Sequence, residues 1–130
     1  MEASCQCGAV HFSTPLPEPL AVYHCHCAEC RKQSASAFGT SAIFPSFTLP
    51  DDQPVAVYTR KTDGGGILDC YFCEKCGVRV LHARRGGNTV SVKGGCIDGL
   101  DWSIVEHIWV KRAVVAVPEG AKRWEGEPDD

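Results

Sequence analysis

Tyr23-His24-Cys25-His26-Cys27-Ala28-Glu29-Cys30-Arg31-Lys32-Gln33-Ser34 holds three of the chain's nine cysteines in C-x-C-x2-C spacing. Three thiolates this close can share one soft divalent ion. They leave a tetrahedral metal with one position open, which separates a catalytic site from a closed structural one. The same stretch sets the local architecture. Leu20 to His24 reads as a strand delivering the chain into the triad, and Ala28 to Gln33 suffices for a short helix that carries Cys30. Cys25 and Cys27 keep strand spacing. His24 and His26 flank the thiols and suit packing or hydrogen bonding behind the ligands. Ala35 to Pro45 follows with Ser36, Thr40 and Ser41 between Phe38 and Phe44. It reads either as space for a ligand beside the metal or as a plain half-polar strand.

Working outward, Ser4 to Phe12 alternates from Cys5 onward and predicts an edge strand. In an extended chain Cys5 and Cys7 would face one way, with Cα atoms about 6.6 Å apart. Downstream, Cys73-Glu74-Lys75-Cys76-Gly77 is a zinc knuckle, whose glycine suits the positive φ of such turns. Pairing Cys5 and Cys7 with Cys73 and Cys76 completes a four-thiolate structural zinc and frees Cys25, Cys27 and Cys30 for a second zinc with an exchangeable position. A single zinc with a different ligand mixture is the alternative. Cys70 and Cys96 are left as small buried apolar residues. An iron–sulfur run Cys70-x2-Cys73-x2-Cys76 ranks below zinc, because its next ligand would fall on Val80.

The rest of the chain supplies the scaffold. Thirteen glycines, eight prolines and short runs rich in Val, Ile, Phe and Tyr predict a mainly β fold with little helix. Strands are expected over 55–59, 67–72, 78–82, 89–93 and 106–110, with a turn at 62–66. His11, His82 and His107 read as ordinary strand residues. At 130 residues the chain reads as one domain, 1–130, closed by an acidic end over about 125–130. No stretch approaches membrane-spanning length. The N-terminus lacks the basic start and apolar run of a secretory signal, so a cytoplasmic location with reduced thiols is expected. A net charge of −3 offers nothing to nucleic acid or an anionic membrane. Arg31-Lys32, beside the triad, suits an acidic small molecule.

Cys5-Gln6-Cys7-Gly8-Ala9-Val10, the stretch from His24 to Ser34, and Phe72-Cys73-Glu74-Lys75-Cys76-Gly77 together resemble the glutathione-dependent formaldehyde-activating and centromere protein V-like family. The resemblance extends to Gly95-Cys96-Ile97-Asp98 and Pro118-Glu119-Gly120. It implies a β-tent fold of packed antiparallel sheets, a structural zinc at Cys5, Cys7, Cys73 and Cys76, and a catalytic zinc at Cys25, Cys27 and Cys30. The implied activity is that of a carbon–sulfur lyase or S-(hydroxymethyl)glutathione synthase. Its substrate would be a small-molecule thiol, glutathione or another, as its adduct with formaldehyde or a related aldehyde. Arg31 and Lys32 would then hold carboxylates, and Ser34 or Ser36 a developing alkoxide. A non-catalytic zinc scaffold binding a protein partner is the alternative, and a homo-oligomer stays open. One departure from the family pattern is Ala35, where glycine is frequent; a methyl there is expected to narrow the space beside the metal.

Overall fold

A computed structural model describes residues 1–128; Asp129 and Asp130, the last of the expected acidic end, lie outside the described residues. Among these, the elements follow as β1 (Glu2–Ser4), β2 (His11–Ser13), β3 (Ala21–Cys25), α1 (Ala28–Ser34), β4 (Gly39–Pro45), β5 (Val55–Lys61), β6 (Ile67–Cys73), β7 (Arg79–Arg84), β8 (Thr89–Lys93) and β9 (Glu106–Ile108). Strands β5-β6-β7-β8-β4-β3-β9 form one sheet and β1-β2 a separate hairpin. The mainly β, antiparallel-rich fold with one short helix is the expected one. The β3–β9 pair is parallel, a long-range pairing that no local pattern announces. No helix among the described residues is long and apolar enough to cross a membrane.

Directly opposed residues of paired strands share a face, and here they form two rows of opposite character. Val22, Ala42, Val92, Leu81, Tyr71 and Val57 run in register across six strands. Their face packs with Phe44 and Val90 against Ala3, Val10 and Phe12 of the hairpin region, and against Ile97 and Leu100, to form the core. The neighbouring row is Ile43, Ser91, His82, Cys70 and Tyr58, with Ser41 and Lys93 paired beside it. This face is polar, and α1 lies near it by crossing β4 at Gly39, where a Cβ would stand 3.4 Å from the Cys30 Cβ.

The expected single strand over residues 4–12 is two strands with a turn between them. Cys5 N donates to Val10 O at 2.9 Å, and Gly8 takes φ 80°. Alternation continues through such a turn in sequence, but a left-handed glycine reverses the chain in space. The stretch after the triad resolves to strand, since β4 occupies Gly39–Pro45.

Gly94 opens a 3₁₀ turn after β8. A Cβ there would lie 2.6 Å from Thr40 Cγ2 and 3.2 Å from Leu100 Cδ2. Overpacking of this kind costs about 1–3 kcal/mol. A Gly94→Ala chain should therefore melt several degrees below wild type in a thermal unfolding scan, with its metal content unchanged.

Candidate metal centres

Two hairpin turns bring the first four thiols together. In one, Cys5 N bonds to Val10 O; in the other, Cys73 N bonds to Val78 O at 3.0 Å, and Gly77 takes φ 80°. Backbone N–H groups aim at the sulfurs: Val10 N reaches Cys5 Sγ, and Lys75 N reaches Cys73 Sγ, both at 3.3 Å. The Sγ atoms of Cys5, Cys7, Cys73 and Cys76 all lie within 4.8 Å of one another. Cys7 Sγ is 3.7 Å from both Cys5 Sγ and Cys73 Sγ. Four sulfurs at tetrahedral corners, with metal–sulfur bonds of about 2.3 Å, stand about 3.8 Å apart. The spacing thus fits a tetrahedral metal. It is far beyond a disulfide bond of about 2.05 Å. Cys5 and Cys73 are buried while Cys7 is exposed, so the cluster stitches the core to the surface.

The second cluster forms where β3 ends. Cys25 closes the strand, and Cys27 leaves strand geometry to become the N-cap of α1, its sulfur accepting from Cys30 N at 3.4 Å. Cys30 stands in the first turn of the helix, and the three sulfurs lie within 4.8 Å of one another. Hydrogen bonds from Cys25 and then Cys30 hold Cys27 well below the ordinary thiol range. The same contacts, with Cys27 first, push Cys25 up. Three sulfurs that must share protons when bare are a donor set suited to a soft cation, which lets all three ionise.

Cys25, Cys27 and Cys30 line a cavity of about 1100 Å³. Arg31, Arg60, Arg84 and Arg112 line it too, with Glu29, Asp63 and Glu127. Arg60 pairs with Glu29 at 3.7 Å, and Glu127 accepts from Trp109 Nε1 at 2.8 Å. Of the four residues expected near a substrate, Arg31 belongs to this lining. Lys32, Ser34 and Ser36 do not, and all three are exposed. The Ser34 hydroxyl donates to Cys30 O at 2.8 Å, fastening the end of the helix. Ala35 caps that end at φ 50°, the left-handed region that favours glycine. It is exposed and absent from the cavity lining, so a glycine there would relieve backbone strain and widen nothing.

Two groups that the sequence did not single out stand on the polar face near the triad. His82 lines the cavity, and its Nδ1 lies 2.9 Å from Lys93 Nζ. Burial, the Lys93 charge and those of Arg60 and Arg79 hold His82 down to about 3, so the imidazole is neutral. Burial lowers Lys93 to about 8, opposed by the charge of Cys30. Strand register could have found this pair, but register depends on pairings the sequence leaves open. A different histidine group packs away from the cavity. His26 Nε2 meets His107 Nδ1 at 2.9 Å, both rings being buried, and His24 Nδ1 meets Thr40 Oγ1 at 2.8 Å. Phe38 packs against His24 and His26 at a tilt, with ring centroids 4.4 and 5.2 Å away. These contacts are the packing role expected for His24 and His26.

Cys70 is buried at 1% exposure, as expected for a small apolar residue. Cys96 is half-buried, its thiol donating to Arg79 O at 3.7 Å. Neither belongs to a metal-capable cluster among the described residues.

A mainly β chain with a four-thiol cluster and a three-thiol cluster beside a cavity is, by class, a small β scaffold whose cysteine clusters could hold metal ions. The family model described as "Glutathione-dependent formaldehyde-activating enzyme" matches residues 1–112, and the chain belongs to that family. A Halomonas elongata protein named provisionally as a glutathione-dependent formaldehyde-activating enzyme is 29% identical over 80 residues, 58% of this chain. The match covers 51% of that relative, so the chain spans about half the length of the curated protein it matches. A crystal structure of a Rhodobacter sphaeroides protein shares the fold with a TM-score of 0.59 at 22% identity, covering 79% of this chain and 93% of that one.

Proposed function

We propose that this chain is a zinc-dependent enzyme that makes or breaks a carbon–sulfur bond, acting on a thiol such as glutathione and its adduct with formaldehyde or a related aldehyde. One observation carries the reading: four sulfurs close the first cluster, whereas the second has three and faces a cavity of about 1100 Å³. Cys5, Cys7, Cys73 and Cys76 hold a structural zinc, and Cys25, Cys27 and Cys30 a catalytic one. A zinc in the second site supplies a Lewis acid that keeps a substrate thiol ionised at neutral pH. Arg31 and Arg84 bind carboxylates, for which planar guanidinium groups are suited. Family membership supports glutathione or a similar acidic thiol as the partner of the open position. A protein-binding scaffold would need no cavity beside its second cluster, so the enzyme reading is preferred.

The test is spectroscopic. With cobalt replacing the native metal, glutathione should add a saturable sulfur-to-cobalt charge-transfer band and alter the ligand-field bands, while S-methylglutathione should change neither. A spectrum indifferent to glutathione at millimolar concentration would refute thiol binding at the open site.

A further inference from the structure

On the polar face of the sheet, Lys93 and His82 meet on adjacent strands, β8 and β7, beneath the cavity that the cysteine triad lines. An ammonium has three donors and no acceptor. The 2.9 Å contact therefore has Lys93 Nζ donating to His82 Nδ1. That fixes the tautomer: Nδ1 is the acceptor, and Nε2 carries the ring proton. Among the described residues no hydrogen bond to His82 Nε2 and no carboxylate paired with Lys93 occurs. The ring lines the same cavity as Cys27, whose negative charge also acts on it. Lys93 in turn acts on Cys30 and Cys25. His82, a lining residue of the cavity, is thus a neutral imidazole with a committed acceptor side and an uncommitted N–H.

We propose that His82, held in its Nε2–H form by Lys93, is the hydrogen-bond and proton donor to the substrate oxygen when a thiol adds to an aldehyde carbonyl in this cavity. The proposal rests on the reading of the triad as a thiol-binding centre. As the sulfur–carbon bond forms, the carbonyl π pair moves onto oxygen. Nε2 passes its proton to that oxygen while Nδ1 takes one from the Lys93 ammonium. The pair is restored when Nδ1 returns its proton to Lys93 and Nε2 takes one from solvent, which balances the proton released when the thiol ionised. No electron is gained or lost overall. In the lyase direction each transfer reverses, with the pair removing the hydroxyl proton as carbon and sulfur separate. Burial and the charges of Lys93, Arg60 and Arg79 keep the ring neutral, so its N–H is a neutral donor to the substrate oxygen.

Nitrogen-15 NMR of the metal-loaded full chain reads the tautomer without substrate. Wild type should show His82 protonated on Nε2, and Lys93→Met should show a mixture of tautomers. Exchange NMR of glutathione with formaldehyde, above the uncatalysed background, then reads catalysis. His82→Phe should lower kcat about 100-fold with glutathione affinity unchanged, the size of loss typical for a removed proton donor. His82→Gln, which keeps a side-chain N–H, should recover about tenfold of that loss. The double variant His82→Phe, Lys93→Met should be no slower than the slower single, because the pair acts as one unit. An Nδ1-protonated wild type, a tautomer indifferent to Lys93→Met, or an unmoved kcat with thiol binding intact would each overturn the role of His82. Absence of thiol binding in wild-type cobalt protein would instead remove the shared premise, and the two failures are distinguished by that spectrum.

Discussion

A Cys73→Ser chain is expected to lose cooperative folding, the largest single effect anticipated here. Cys73 ends β6, has no exposed surface and belongs to the core cluster as well as to the four-sulfur site. Its sulfur sits 3.7 Å from that of Cys7, 66 residues earlier in the chain. A structural zinc site contributes apparent binding energies of about 10–16 kcal/mol in small zinc-folded peptides, and net stabilities of domains are about 5–15 kcal/mol. Loss of the site thus removes an amount comparable to the whole stability. Circular dichroism during heating, with metal counted in the soluble fraction, checks the expectation. Strong chelation of the wild type should reproduce the loss. Cys70→Ser is the control, because Cys70 is equally buried but lies outside both clusters. It should lose only about 1–3 kcal/mol, the cost of an unsatisfied buried hydroxyl, and keep its metal. A Cys73→Ser chain that melts cooperatively at the wild-type temperature would contradict the assignment.

Cys27→Ser should separate function from folding. Cys27 is half-exposed and caps α1 through a bond from Cys30 N. Serine is among the preferred N-cap residues, so the cap survives the exchange and stability should change by less than about 1 kcal/mol. The donor set of the second site does not survive. Metal analysis is expected to fall from two equivalents to one, with the retained ion at Cys5, Cys7, Cys73 and Cys76. The glutathione-dependent cobalt band should vanish. Retention of two ions with undiminished affinity would show that the triad is not the second site.

Much of this was legible from residue order because thiol clusters are local. Cys25, Cys27 and Cys30 span six positions, and Cys73 to Gly77 encodes its turn in its own spacing and glycine. Short runs of β-branched residues between glycine-rich turns likewise announce β5 to β8. Legibility ended where a side chain's meaning depends on a distant strand. The pattern of His82 in β7 is that of any strand histidine, and Lys93 ends β8 as many strands end, in a charge. Only the register that opposes His82 to Ser91 sets the ring beside Lys93. The region around Cys5 failed for the reverse reason. Its alternation is real, but Gly8 turns the chain back within it. The parallel β9 has three residues and no partner signal in sequence.

The alternating faces of β8 carry one further implication. Val90 and Val92 point into the core, while Ser91 and Lys93 belong to the polar face beneath the cavity. Along five residues, neighbouring positions therefore answer to different selective demands. Changes at Val90 or Val92 are filtered by whether the chain folds, and changes at Ser91 or Lys93 by what the cavity accepts. A strand divided in this way lets the polar lining of the cavity change without reopening the hydrophobic interior, one residue apart from the positions that must stay constant.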